Sequence, residues 1–153
     1  MQHTYFMQQA LKEAQKAYKK DEVPVGALIV KNNKIIARAH NLIKTKKDPT
    51  AHAEILAIKK ASLKLKNERL IDTDLYVTIE PCAMCAGAII LARIKNLFFG
   101  AKDPKTGACG SVFDIIKSKK NNHTVNVTEG ILKDQCSDIM KKFFERKRKT
   151  KTP

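Results

Sequence analysis

A chain of 153 residues, 43% of them apolar, has room for one domain with a buried core, and none of its apolar runs reaches the roughly 20 residues that a membrane span needs. Four cysteines, two of them in one C-x-x-C, and no secretory-type leader in residues 1–20 argue against a disulfide-stapled secreted scaffold and point to the cytoplasm. Thirty lysines and arginines against 15 acids leave a formal charge of +15, a field that attracts polyanions and speeds their encounter.

Taken in chain order, Met7, Ala10, Leu11, Ala14, Ala17 and Tyr18 recur at helical spacing, which predicts an amphipathic helix over 4–20. Residues 25–30 and 34–39 are rich in β-branched side chains around Asn32-Asn33, a pair that tolerates positive φ, so they read as a tight hairpin. A polar loop over 41–50 leads to a predicted helix over 51–65, then a strand over 74–79. Pro81 opens a third helix running to about residue 92, because a missing N–H costs little in a first turn. A strand over 97–101, a short helix over 111–117, a strand over 125–128 and a basic helix over 132–148 follow, with 149–153 as a tail. No linker or repeat divides residues 1–153, so the whole is expected to be one domain. The alternation of elements favours a mostly parallel sheet with helices on both faces, opened by the antiparallel hairpin.

Two motifs fall at predicted helix starts, where ligands of such sheets gather. The first is His52-Ala53-Glu54 and the second Pro81-Cys82-Ala83-Met84-Cys85. Cys82 and Cys85 are three apart, so one helical turn brings both sulfurs to the same side, and the helix amino end favours thiolates. With the His52 imidazole they form a three-ligand set suited to one Zn²⁺ per chain, leaving a fourth position for water, as in a catalytic rather than a structural site. Two thiolates already neutralise the ion and weaken its pull on water, so a separate base is needed, and Glu54 is the candidate. In mid-helix, residues two apart diverge by about 200°, so His52 and Glu54 converge only if the metal sits above the first turn. Other readings stay open here: a redox C-x-x-C, or a structural site completed by Cys109 and Cys136, although their spacing forms no second knuckle and they read as ordinary free cysteines. His3, His40 and His123 read as surface or core residues, and Met84 with the run Ala88 to Leu91 as core packing.

H-x-E followed by P-C-x-x-C is the zinc deaminase signature, and further segments narrow the resemblance. Glu22-Val23-Pro24-Val25-Gly26-Ala27, Asp48 to Glu54, Glu80 to Ala88, Gly100 to Gly107, Thr128 to Leu132 and Phe143-Phe144 in a basic terminal helix resemble the bacterial tRNA-specific adenosine deaminases, over roughly residues 5–148. The resemblance implies the cytidine deaminase-like three-layer α/β fold, a five-stranded mixed sheet with helices on both faces, and a homodimer. It also implies conversion of the wobble adenosine (position 34) to inosine in an arginine tRNA by zinc-activated water. Carried over, Asn41 holds the target nucleotide, Asp103 and Lys105 line the RNA-facing loop, and Phe144, Arg146 and Arg148 reach neighbouring anticodon nucleotides. Residue-level alternatives stand beside these: Asn41 as a loop cap, Asp103 as an Asx turn, and one of Phe143 and Phe144 in the core.

Two rival functions carry their own signals. A free-base or nucleoside deaminase acting on guanine or cytosine would use the same metal site, but a small neutral base calls for no polycationic tail. Residues 141–151 hold seven basic side chains and one acid, with Phe143 and Phe144 among them, a composition suited to phosphates and bases. A non-catalytic zinc-stabilised RNA-binding module would need neither an open metal position nor Glu54.

Overall fold

The structure, a computed structural model, describes residues 2–150. Its elements in chain order are α1 (Gln2–Lys19), β1 (Gly26–Lys31), β2 (Lys34–His40), α2 (Ile43–Lys46), α3 (Ala53–Leu65), β3 (Thr73–Ile79), α4 (Ala83–Leu91), β4 (Asn96–Ala101), β5 (Asn126–Glu129) and α5 (Lys133–Thr150). Of the tail assigned to 149–153, the first two residues continue α5 and the rest lie outside the described residues.

The hairpin forms where Asn32-Asn33 permits it. Both asparagines are left-handed, with φ of 51° and 61°, the turn whose twist matches that of the two strands it joins. β1 and β2 pair antiparallel with an irregularity between Ile29 and Val30, where the β2 register skips Ile36. The five strands make one sheet in the order β2–β1–β3–β4–β5. β1 is antiparallel to both neighbours, whereas β3–β4 and β4–β5 are parallel. The sheet is therefore mixed, as expected: β2, β3, β4 and β5 run the same way and β1 of the hairpin alone opposes them. The crossover through α3 does leave β2 and β3 pointing the same way, but β1 is inserted between them.

Period-two alternation sorts the core into two layers. Ala27, Ile29, Leu75, Val77, Leu97 and Phe99 point to one side and pack with Leu56, Ala57 and Ala61 of α3 and Ala86 and Ile89 of α4. Leu28, Val30, Tyr76 and Phe98 point to the other and pack with Phe6, Met7, Ala10 and Leu11 of α1 and Cys136 of α5. Helices thus cover both faces, as the resemblance implied.

Three local expectations change. Residues 111–117 form no helix. The backbone N–H groups of Val112 and Phe113 turn back to the Gly107 carbonyl, that of Ser111 goes to the Glu80 carboxylate, and Cys109 bridges to Asp114. The loop over 41–50 contains the single turn of α2. Along α4, Ile89 is buried, but Leu91 is 76% and Met84 37% exposed, so the core assignment fails at both ends of this helix. Among the described residues, no helix is long and apolar enough to cross a membrane.

Gly26 is where α1 docks on β1. A β-carbon there would lie 1.9 Å from the Ala10 carbonyl oxygen and 2.6 Å from the Ala14 nitrogen, and backbone cannot yield as a flexible side chain can. Gly26→Ala is expected to destabilise the fold by about 1–3 kcal/mol through overpacking, read as a lower midpoint in thermal unfolding.

Candidate active site

The site lies at the end of the sheet where β2, β3 and β4 finish, with α3 and α4 both starting there. His52 is not in α3. It precedes the helix with extended backbone (φ −73°, ψ 151°), and Ala53 is the first helical residue. The divergence expected of residues two apart in mid-helix therefore does not apply, and Glu54 reaches the same space from the first turn. Cys82 stands in the same relation to α4, extended at φ −76°, ψ 178°, with Cys85 inside the first turn. Two helix amino ends, each preceded by an extended ligand residue, thus face one another.

The ligand distances fit a metal ion. His52 Nδ1 is 3.6 Å from Cys82 Sγ and 3.5 Å from Cys85 Sγ, and the three donor atoms lie within 4.8 Å of one another. Tetrahedral ligation at about 2.3 Å to sulfur and about 2.0–2.1 Å to nitrogen requires an S···N separation of about 3.6 Å. These are the only three residues so grouped among the described residues. His3 pairs with the Tyr76 hydroxyl, His40 with Glu13 and His123 with the Ile94 carbonyl, so none joins the set. Cys109 and Cys136 are free, buried thiols.

Electrostatics separates the two cysteines. The Cys85 thiol and the His52 ring, outweighing burial, draw the Cys82 thiol down to about 4. The Cys82 sulfur and burial push Cys85 up, so a cation binding both must displace a proton from the deeper thiol. Burial likewise raises the Glu54 carboxyl above its usual range, opposed by its own backbone N–H and by His52. A carboxyl so placed exchanges a proton closer to neutrality than an exposed one does.

A cavity of about 190 Å³ opens over this group, lined by Asn41, His52, Glu54, Cys82 and Asp103 together with Val23, Val25, Ile43, Ile79, Glu80, Thr106 and Met140. Asn41 is 4% exposed, and its Oδ1 is the one buried side-chain N or O atom without a hydrogen-bond partner among the described residues. An orphaned buried acceptor beside a cavity calls for a donor from whatever fills that cavity.

The three pocket carboxylates are not equivalent. Asp103 Oδ1 accepts from the Lys105 and Thr106 backbone N–H groups and Oδ2 from the Thr106 hydroxyl, which makes it the Asx turn that the sequence allowed as an alternative. Glu80 accepts from Asp103, Cys109 and Ser111. Glu54 instead faces Cys85 and the metal-ligand group. Glu80, Thr106 and Met140 were not singled out in the sequence, although an acid between an apolar strand and P-C-x-x-C was a signal for Glu80.

The remaining candidates lie outside the cavity lining. Lys105 sits on the exposed part of the Asp103 loop. Phe143 is buried against Tyr18, whereas Phe144 is 42% exposed. Met140, Phe144 and Arg148 are four apart, so one stripe of α5 runs from the cavity towards its basic end. Arg146 faces elsewhere: its guanidinium lies 4.3 Å from the Tyr18 ring centroid and bonds the Tyr18 carbonyl and Asp21.

Comparison with known proteins agrees with this geometry. The MafB19-like deaminase family profile matches residues 1–148. A tRNA-specific adenosine deaminase of Bacillus subtilis (strain 168) is 45% identical over 150 residues, 98% of this chain and 93% of the relative. A solved structure from studies of A-to-I editing by tRNA:A34 deaminases at the wobble position of transfer RNA superposes with a TM-score of 0.86 at 45% identity, covering 89% of this chain and 99% of that one. A guanine deaminase from Nitrosomonas europaea is more distant, with a TM-score of 0.74 at 25% identity over 90% of this chain and 81% of the other.

Elemental analysis of purified protein should find about one divalent metal ion per chain, and Cys82→Ala or Cys85→Ala should remove it together with activity. Full metal retention in both variants would contradict the assignment of these ligands.

Proposed function

Because this chain belongs to the MafB19-like deaminase family and to the tRNA-specific adenosine deaminases, we propose that residues 1–153 form one deaminase domain that converts the wobble adenosine of an arginine tRNA anticodon to inosine in the cytoplasm. The observation that carries this reading is a cavity of about 190 Å³ lined by Glu54, His52, Cys82 and Asn41, whose buried Oδ1 has no hydrogen-bond partner among the described residues.

The proposed metal is zinc, which two thiolates and an imidazole suit, and which when bound makes water nucleophilic at neutral pH. The chain's own residues do the rest. Val23, Val25, Ile43 and Ile79 exclude solvent from the purine, and Asn41 accepts a hydrogen bond from the nucleotide. Glu54 takes a proton from the attacking water and passes it to ring N1. As the bond from C6 to the exocyclic nitrogen breaks, Glu54 relays a second proton to the leaving ammonia. Water supplies the oxygen of inosine, and no oxidant or reductant is consumed. An anticodon-loop base is already unpaired, so presenting it costs less than flipping one from a duplex.

A cavity for one base buries little surface, so binding energy comes from neighbouring nucleotides and phosphates. Lys105, Phe144 and Arg148 are the proposed contacts. Arg146 is placed to support them by fixing α5 against α1 through Tyr18 and Asp21, and RNA would have to compete with that packing. Homodimerisation through the α3–α4 side is supported by apolar side chains left in solvent there, Leu91 at 76%, Leu63 at 80% and Met84 at 37% exposed.

Inosine formation on an arginine anticodon stem-loop, assayed beside ammonia release from free adenosine, guanine and cytosine, is expected to favour the stem-loop strongly. Efficient turnover of a free base with an unmodified stem-loop would instead select the free-base deaminase reading. Glu54→Gln should retain metal and RNA binding while kcat falls by about 10²–10⁴-fold or more. Neutralising Lys147, Arg148 and Lys149 should weaken RNA binding and flatten its salt dependence, with metal content unchanged.

A further inference from the structure

The longest stretch without a named helix or strand, residues 102–125, supplies Asp103 and Thr106 to the cavity wall. Loops of this length inside a compact fold need something to hold them. Here the holding group is a carboxylate. Glu80, 2% exposed, leaves the end of β3 immediately before Pro81 and Cys82. Its Oε1 accepts from the Asp103 N–H at 3.1 Å and from the Ser111 hydroxyl. Its Oε2 accepts from the Cys109 N–H at 2.9 Å and the Ser111 N–H at 3.1 Å. Four donors from three points of one loop thus converge on a single side chain.

The fit is close enough to dictate a glycine. A β-carbon on Gly107 would lie 2.4 Å from Glu80 Cδ, 2.5 Å from its Oε2 and 2.6 Å from the Asp103 carbonyl oxygen. Gly107 forms a backbone bridge to Cys82, and the Ala108 N–H bonds the Pro81 carbonyl at 2.8 Å. The loop therefore lies directly on the backbone that presents a metal ligand, with the Glu80 carboxylate between the two. With both oxygens taken up by loop donors, Glu80 is not placed to accept a proton from substrate. An apolar residue here would strand three buried or half-buried N–H groups without acceptors.

We infer that Glu80 is a positioning residue for the deamination: it pins the 103–111 loop as one wall of the base pocket, and Gly107 lets the carboxylate and the Asp103 carbonyl close around it. The inference rests on the proposed deaminase reading for its kinetic consequence, and on geometry alone for its structural one. Because the wall contacts the bound base and not the chemistry at Glu54, its loosening acts on substrate binding.

Amide hydrogen exchange and stem-loop kinetics on the full-length, metal-loaded protein test this. In Glu80→Gln the amide NH₂ must face N–H donors, so the Asp103, Cys109 and Ser111 amides should exchange at least about tenfold faster while amides of α3 and α4 keep their protection. KM for the stem-loop should rise about tenfold with kcat within about threefold and metal content unchanged. Ser111→Ala, which removes one donor from a surface residue, should shift both readouts in the same direction by less, and serves if Glu80→Gln does not fold. Gly107→Ala, whose β-carbon would meet both the carboxylate and the Asp103 carbonyl, should move both readouts in the same direction as Glu80→Gln. Unchanged loop exchange, loss of metal, or a fall in kcat at constant KM would each overturn the inference, the last being the mark of a general loss of folded enzyme. Should wild-type protein fail to act on the stem-loop, the substrate reading fails, while the exchange measurement still decides whether Glu80 holds the loop.

Discussion

Two helix amino ends brought face to face set the terms for the rest of this protein. α3 and α4 each begin with an extended residue carrying a metal-binding side chain, His52 and Cys82, and each contributes a second functional group from its first turn, Glu54 and Cys85. Placing a carboxylate, an imidazole and two thiols in one small volume is unfavourable unless the charges compensate one another. Each thiol shifts chiefly because of the other, Cys82 down to about 4 and Cys85, which burial also raises, upward. The 3.5 and 3.6 Å separations suit a tetrahedral divalent cation held by the three donors.

The sheet is what keeps the two ends together. β3 runs straight into Glu80-Pro81-Cys82, and β1, antiparallel at its side, closes the floor beneath α3 with Ala27 and Ile29. Two stretches of the pocket wall, around α2 and in the 103–111 loop, are each fastened by a buried acid. Glu22 accepts from the Lys44 and Thr45 N–H groups and the Thr45 hydroxyl, fixing the turn of α2 beside Asn41 and Ile43. Glu80 does the same for the 103–111 loop. Burial alone would raise both carboxyls, but the hydrogen bonds converging on each outweigh it and hold them below the ordinary range. Acids around the pocket thus divide by their neighbours: Glu22 and Glu80 are surrounded by N–H and O–H donors that they hold in place, whereas Glu54 faces the thiols and is raised by burial.

α5 joins this pocket to the basic surface. Met140 reaches the cavity, Phe144 lies one turn further out in solvent, and Arg148 follows after another turn. On its other side, Phe143 and Arg146 pack on Tyr18, and Asp21 gathers Arg146, Lys147 and Lys44. Part of the basic run that reads in the sequence as a nucleic-acid surface is thereby spent on holding the helix in place.

The sequence by itself determined most of the elements and a candidate ligand set, which the structure brings together. Alternating β-branched residues, the Asn32-Asn33 turn and the helical spacing in α1 are local patterns, and local patterns survive in a linear reading. H-x-E and P-C-x-x-C name their ligands because metal chemistry restricts residue type and spacing together. Tertiary structure decided what depends on distant partners. It placed β1 between β2 and β3, an order the linear pattern does not contain. It also turned 111–117 away from helix, because Glu80, some thirty residues earlier in the chain, captures the Ser111 N–H while those of Val112 and Phe113 return to the Gly107 carbonyl. The same holds for Phe143 and Phe144, adjacent and identical in type, of which only contact with Tyr18 from the far end of the chain buries one and leaves the other to solvent.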